Sequence, residues 1–137
     1  MEQLYKILDE YSIREILEVN SDISNLSSDE IKEKIELLQY INCSDRQIRN
    51  IIITNPLFLL EDIDSIKNLI DKLYYLGISN SNYLFSDNPD LLTRGIYSID
   101  SFIENKISNG YTFNDINELI DNDSSIIYNW QNNNWLL

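Results

Sequence analysis

The chain has 137 residues, a formal net charge of −13 and no histidine. Its apolar fraction of 43% is ordinary for a globular protein, which excludes wholesale disorder, and its length fits one domain. The acidic excess disfavours binding to phosphate backbones or anionic membranes and favours a basic partner, although the same charge can also serve solubility alone.

Two landmarks repeat along the chain. The first is a dipeptide that begins with Asn and recurs after 35, 33 and 34 residues: Asn20-Ser21, Asn55-Pro56, Asn88-Pro89 and Asn122-Asp123. The second is a residue suited to left-handed backbone angles, which follows the first three dipeptides after 22 residues: Asn42, Gly77 and Gly110. This period predicts an all-α fold, a short α-solenoid of three to four helix-turn-helix repeats of about 33–35 residues.

Each unit is predicted to contain a long and a short helix. In the long helix, apolar residues recur at intervals of three and four, which places them on one core-facing side. The Ser44–Gln47 and Ser27–Glu30 patterns are typical of helix N-termini, Thr112 is a further cap, and Pro56 ends a short helix. The predicted long helices are 28–41, 63–76 and 96–109, and the short ones are 13–19, 45–54, 80–86 and 113–121.

These units are expected to form a single helical-repeat domain over residues 1–137. Terminal units of a repeat array are atypical because they cover the ends of the stack. The repeat-like units are 3–26, which is partial, then 27–60, 61–93 and 94–127, with a C-terminal cap over 128–137.

A proline followed by leucines between two helices resembles a known repeat. Residues 51–60 read IIITNPLFLL, and the helix after them ends in a Leu-Gly turn at Gly77. A second such unit begins at residues 84–92. The pattern resembles the repeat of the mitochondrial transcription termination factor (mTERF) family over about residues 12–127. The resemblance implies an α-solenoid whose concave surface binds nucleic acid through basic residues.

The sequence offers little material for catalysis. Without histidine, Ser-His-Asp and Cys-His arrangements and His-containing zinc sites are excluded, and Cys43 is the one cysteine. The segment that starts at Asp121 resembles a calcium loop but has Ile126 where Gly is needed and Asn132 where Glu is needed. We therefore predict no catalytic, cofactor-binding or metal-binding residues, no cofactor and no enzyme activity.

The C-terminal segment is rich in aromatic residues. Tyr128, Trp130 and Trp135 are candidate interaction residues, because Tyr and Trp are favoured at protein interfaces. The alternative is that the same tail folds back and seals the open end of the solenoid.

Two observations bear on the location of the protein. A lone cysteine fits a reducing compartment, and no apolar run approaches the roughly 20 residues that a membrane-spanning helix needs. The N-terminus also lacks the features of a signal peptide. We expect a cytoplasmic protein with no membrane association.

The favoured function is non-enzymatic protein binding through an acidic surface. The protein would block a basic partner, as an immunity protein that neutralises a toxin or as an inhibitor that imitates the charge of nucleic acid. The alternative is an mTERF-like regulator that binds nucleic acid directly, for which Arg46 and Arg49, one helical turn apart, are the best basic pair. An enzyme with convergent acids is a third hypothesis.

Overall fold

The computed structural model describes residues 1–78, 81–93 and 96–134, with the side chains of residue 96 and residues 131–134 outside the description. Within these ranges the chain is all helical and contains no β-strand. The α-helices are α1 (Glu2–Tyr5), α2 (Glu10–Val19), α3 (Ser28–Tyr40), α4 (Asp45–Thr54), α5 (Ile63–Tyr75), α6 (Ser81–Asp87), α7 (Ile96–Ser108), α8 (Phe113–Asn122) and α9 (Ile126–Asn134). Three 3₁₀ segments cover Ser21–Asn25, Pro56–Leu60 and Pro89–Leu92.

The predicted alternation of long and short helices is confirmed. The long helices α3, α5 and α7 each have 13 residues, and each is followed by a shorter helix. The predicted bounds agree to within one residue for α3, α4, α5, α7 and α8 and for the end of α6, whose predicted start at residue 80 lies outside the described residues. By contrast, α2 begins three residues before the predicted helix, and α1 and α9 are helices that the sequence did not predict.

Each long helix ends at a residue with a positive φ, as the second landmark predicts. The φ angles are 69° at Asn42, 80° at Gly77 and 87° at Gly110. At Gly77 the backbone N–H donates to the Tyr74 carbonyl, and the next N–H donates to the Leu73 carbonyl, both at 3.0 Å. The same pair of bonds recurs after α3 and α7 and satisfies carbonyls that the helix leaves without partners.

Side chains begin the helices as the sequence predicts. Ser44 and Gln47 form a reciprocal capping box at α4, and Thr112 forms one with Asp115 at α8. Ser27 accepts the Glu30 amide at α3. These bonds satisfy backbone donors at the helix N-termini, so each unit begins at a defined residue.

One apolar core runs along the described chain. The predicted core face of α3 is buried at Ile31, Ile35, Leu38 and Ile41, and the equivalent residues of α5 are buried as well. The largest fully buried side chains are Phe58, Phe85 and Phe102. One of them lies in each of the units 27–60, 61–93 and 94–127. Contacts join α1 to α3, α3 to α5, and α4 to α6.

The fourth landmark lies one residue later than the sequence pattern indicates. The residue that ends a short helix is Asn20 after α2, Asn55 after α4 and Asn88 after α6, but Asp123 after α8. Asn122 is the last residue of α8, because this helix has ten residues, as α2 and α4 do. After Asp123 the chain continues into α9 and not into a 3₁₀ segment.

Candidate functional site

Two asparagines of the first landmark, Asn55 and Asn88, connect successive units through their side-chain amides. Asn55, which is 5% exposed, donates from Nδ2 to the Pro89 carbonyl at 2.8 Å. Asn88 donates from Nδ2 to the Ser124 carbonyl, also at 2.8 Å. Each acceptor directly follows the landmark residue of the next unit, so the C-terminal ends of α4, α6 and α8 lie side by side.

This common end, which we call the landmark edge, consists of the last turns of α2, α4, α6 and α8 and the residues directly after them. A helix C-terminus carries a partial negative charge of about half a unit, which Lys or Arg in the last turn commonly offsets. None of these four helices, all fully described, has a basic residue in its last turn. Acidic side chains at or beside this edge are Glu15, Asp87, Asp90, Asp121 and Asp123.

An open groove lies on the landmark edge between the first two units. It has a volume of about 410 Å³ and contains the apolar side chains of Ile16, Val19, Ile53 and Leu57. Val19 is 82% exposed, Ile53 49% and Leu57 42%, so three of these apolar side chains face solvent. We call it the Asn20 groove; its described lining is Ser12, Glu15, Ile16, Val19, Asn20, Ile53, Thr54, Asn55, Pro56, Leu57 and Asp90. Its described charged residues are both acidic.

Asn20 differs from its two counterparts in the units that follow. Asn88 uses Nδ2 twice, since it donates to the Leu84 carbonyl of its own helix at 3.1 Å and to the Ser124 carbonyl of the next unit. Asn20 makes the first of these bonds, to the Ile16 carbonyl at 3.2 Å. Its second amide hydrogen has no acceptor among the described residues, and Asn20 lines the open groove.

A second groove on the landmark edge, between α6 and α8, is more polar. It has a volume of about 470 Å³ and is closed at one side by hydrogen bonds between units. Ser124 donates from Oγ to the Asp87 carboxylate at 2.8 Å, and Ser125 donates to Asn88 Oδ1 at 3.2 Å. These bonds occupy the hydroxyls of Ser124 and Ser125 at this side of the groove.

The three predicted interaction residues lie in different surroundings. The Trp130 ring packs edge to face against Phe102, with the ring centroids 5.8 Å apart and the planes at 77°. Tyr128 is exposed on α9, and Trp135 lies outside the described residues. Trp130 therefore contributes to the packing of α9 on α7, and the interaction role of this segment stays a prediction.

The tyrosines contribute to the surface rather than to the core. All nine are exposed, in contrast to the buried phenylalanines Phe58, Phe85 and Phe102. Tyr is a residue that interfaces favour, because a large rigid ring is buried at a small cost in entropy. The outer faces of the helices thus carry aromatic contact area among the acidic residues.

Two buried ionisable side chains, those of Cys43 and Lys34, do not form a reactive site. Burial raises the pKa of the Cys43 thiol to about 11, which leaves it protonated and unreactive at neutral pH. Lys34 is buried along its stem, and burial lowers its pKa, while the carboxylates of Glu30, Glu33, Asp62 and Glu61 partly offset that effect.

The described part of the chain shows no metal centre and no membrane span. No three or more His, Cys, Asp or Glu residues in it lie close enough together to hold a metal ion. Similarly, none of the described helices has the length and apolar character needed to cross a bilayer.

Basic residues are scattered and partly paired. Arg14 contacts Glu10 at 3.5 Å and Lys32 contacts Glu36 at 3.8 Å, both within one helix. Lys72 of α5 contacts Asp100 of α7 at 2.9 Å. Arg46 and Arg49 are both exposed on α4, as their spacing of one turn suggests.

The Asn20 groove was not predicted from the sequence. In the sequence the landmark asparagines indicate helix ends, whereas their cross-unit hydrogen bonds depend on which carbonyl of the next unit they meet. One signal in the sequence points to the groove. Val19, Ile53 and Leu57 are apolar residues within two positions of the Asn20 and Asn55 landmarks, in segments that already contain other apolar residues for the core.

Comparisons with protein-family models, with curated proteins and with solved structures found no match.

Proposed function

We propose that the chain is a short α-solenoid that binds a basic protein partner through the landmark edge and does not catalyse a reaction. The observation that carries this proposal is the combination of exposed apolar side chains with charges that are all acidic among the described residues of the Asn20 groove. Apolar contact supplies affinity, while complementary charge increases the association rate and selects the partner.

The solenoid part of the proposal is supported by bonds that repeat from unit to unit. The Asn55–Pro89 and Asn88–Ser124 hydrogen bonds occupy equivalent positions in successive pairs of units. In a stack of such units each one buries its apolar face against its neighbours, which leaves a row of equivalent helix ends on one edge. None of these four helices has a basic residue in its last turn that would offset the partial negative charge of its C-terminus.

The biological form of the proposal is an inhibitor or immunity protein that occupies a basic site on its partner. A net charge of −13 provides the steering, and the partner's Lys or Arg side chains would offset the helix C-termini and acidic residues. We place this activity in the cytoplasm, where the single buried thiol would stay reduced.

Affinity capture from cells of the source organism, followed by titration of the captured protein, tests this function. We expect a partner with a basic surface and an affinity that falls at least tenfold between 50 and 500 mM salt, values typical of electrostatically assisted binding. The double variant Glu15→Gln/Asp90→Asn should slow association about three- to tenfold. Asp64→Asn/Glu104→Gln removes the same charge from α5 and α7 and serves as the control.

Two outcomes would refute the proposed function. One is a partner whose binding is insensitive to salt. The other is an equal effect of the two double variants, since a general field of the molecule and not the landmark edge would then guide the partner. Recovery of nucleic acid in place of a basic protein would support the alternative below.

The alternative function is the direct nucleic-acid binding that the mTERF resemblance implies. It is favoured by Arg46 and Arg49, which lie exposed on α4. Fluorescence anisotropy with single- and double-stranded oligonucleotides at 50 mM salt tests it, because phosphate contacts are strongest at low salt. Binding that is lost in Arg46→Ala/Arg49→Ala would support it, and no binding to any oligonucleotide would eliminate it.

A further inference from the structure

We infer that the Asn20 groove binds a short segment of the partner that presents three features together: a backbone carbonyl, an apolar side chain and a neighbouring Lys or Arg. This inference rests on the proposed function and names the site and the chemistry of the segment that it recognises.

The backbone carbonyl is inferred from the hydrogen bonds of the other landmark asparagines. In the third unit, Asn88 Nδ2 holds one carbonyl of its own helix and one carbonyl of the next unit. Asn55 likewise donates to a carbonyl of the next unit, that of Pro89. Asn20 holds the carbonyl of its own helix, so its second N–H is available in the groove for a carbonyl from another chain.

The apolar side chain is inferred from the surface around Asn20. Val19 and Ile53 lie on the two sides of the groove, and Leu57 continues the apolar surface on the second unit. An apolar side chain of the partner placed among them would remove part of their exposed surface from water, at roughly 25 cal/mol for each Å². A fully polar segment would gain nothing from these contacts.

The positive charge is inferred from the acidic residues and helix C-termini at the groove. Glu15 lies on α2 and Asp90 lies in the third 3₁₀ segment, and both line the groove. The C-terminal ends of α2 and α4 meet here without a basic side chain of their own. A Lys or Arg beside the apolar residue of the partner would offset this negative charge, whereas an acidic segment would be repelled.

The test uses the complete chain labelled with ¹⁵N and an acetylated octapeptide of alternating Lys and Leu. We expect the largest changes in amide chemical shift at Val19, Asn20 and Ile53, and no comparable changes with a peptide in which Glu replaces Lys. Ile53→Asp should weaken peptide binding at least tenfold, because it places a charge in the apolar contact. Asn20→Ala, which removes the amide donor without adding a charge, should weaken it about fivefold or more.

Matched variants separate a specific effect from a folding defect. Ile107 on α7 is 43% exposed, close to the 49% of Ile53, so Ile107→Asp should leave peptide binding unchanged. Ile53→Ser, a neutral change at the same half-exposed position, provides a second variant, and circular dichroism reports whether each variant folds. Shifts that map elsewhere, equal binding of the acidic peptide, no binding, or Ile53→Asp that folds and binds as the wild type would overturn the inference.

Failure of this inference can be distinguished from failure of the proposed function. If a captured basic partner binds with strong salt dependence but the Lys-Leu peptide does not compete with it, the groove inference is wrong and the proposed function stands. If the captured partner binds independently of salt, the proposed function itself is wrong.

Discussion

Asn55→Asp is the most direct test of the hydrogen bonds between units. Asn55 is 5% exposed and donates to the Pro89 carbonyl at 2.8 Å and to Thr93 Oγ1 at 3.2 Å. The exchange keeps the size of the side chain but replaces the donor by a carboxylate, which repels the carbonyl it faces. The side chain therefore keeps its shape, but a group that donates hydrogen bonds is replaced by one that only accepts them.

The expected loss is about 3 kcal/mol in the free energy of unfolding. The two lost hydrogen bonds contribute about 1 kcal/mol each, and a buried acceptor without a donor adds about 1–2 kcal/mol. A domain of this size has about 5–15 kcal/mol in total. At about 3–5 °C for each kcal/mol, the midpoint of thermal unfolding should fall by roughly 10–15 °C.

The pH dependence of the variant gives a second readout. Burial and the facing carbonyl raise the folded-state pKa of the introduced carboxyl above its unfolded value, because both disfavour the charged form. The folded state then binds the proton more tightly than the unfolded state, so the stability deficit is smallest at low pH and grows as the pH rises. Chemical denaturation at pH 4 and at pH 7, with wild type alongside, measures this difference.

Asn109→Asp is the matched control. Asn109 directly follows α7, and its exposed side chain donates to the Asn105 carbonyl of its own helix at 2.9 Å. The exchange adds the same charge at the same kind of helix end but breaks no bond between units, so it should cost less than about 1 kcal/mol. If Asn55→Asp is destabilised no more than Asn109→Asp, the hydrogen bonds between units do not stabilise the fold as we have reasoned.

Three further predictions concern single positions. Asn42→Gly should raise the free energy of unfolding by about 0.5–1 kcal/mol, because a φ of 69° strains a residue with a Cβ; an unchanged or lower midpoint of thermal unfolding would contradict this. Cys43, with its pKa raised to about 11, should react with Ellman's reagent at pH 8 only after guanidinium unfolds the chain, and rapid reaction of the folded protein would show that the thiol is accessible. The backbone N–H of Thr112, which donates to the Asp115 carboxylate at 2.9 Å, and secondly the Thr112 hydroxyl lower the pKa of Asp115 from its ordinary 3.8, so this cap stabilises the fold above that pH and is lost as the pH falls through the lowered value; Thr112→Ala removes the hydroxyl but keeps the N–H, so the pKa of Asp115, followed by NMR, should rise yet stay below 3.8, and a full return to 3.8 would refute the assignment of the larger effect to the backbone bond.

The sequence predicted the helices well because local signals determine them. Gly77 and Gly110 end long helices since they adopt left-handed angles without strain, and Ser44 begins a short helix since its hydroxyl accepts a backbone amide. The one-residue displacement at Asp123 shows the limit of a landmark that is defined by residue type alone. There the helix continues through Asn122 and has ten residues, as α2 and α4 do.

The candidate site was less predictable because it depends on contacts between units. The sequence identified Asn20 and Asn55 as equivalent residues, and the structure gives them different hydrogen-bond partners. Similarly, an aromatic residue such as Trp130 fits either packing within the fold or contact with a partner, and only its distance to Phe102 reveals the packing contact. Apolar residues such as Val19 are also read as core from sequence until their exposure is known.

The proline that follows two of the landmark asparagines has a consequence for the ageing of the protein. Asparagine deamidates when the main-chain nitrogen of the next residue loses its hydrogen and attacks the side-chain carbon, which releases ammonia and closes a succinimide that water opens to aspartate or isoaspartate. Pro56 and Pro89 have no N–H, so this route is closed for Asn55 and Asn88, the two landmark asparagines whose amides bond to the next unit. Asn20 precedes Ser21, whose nitrogen carries a hydrogen, so the route is open there. Deamidation of Asn20 would add a negative charge to the groove as the protein ages.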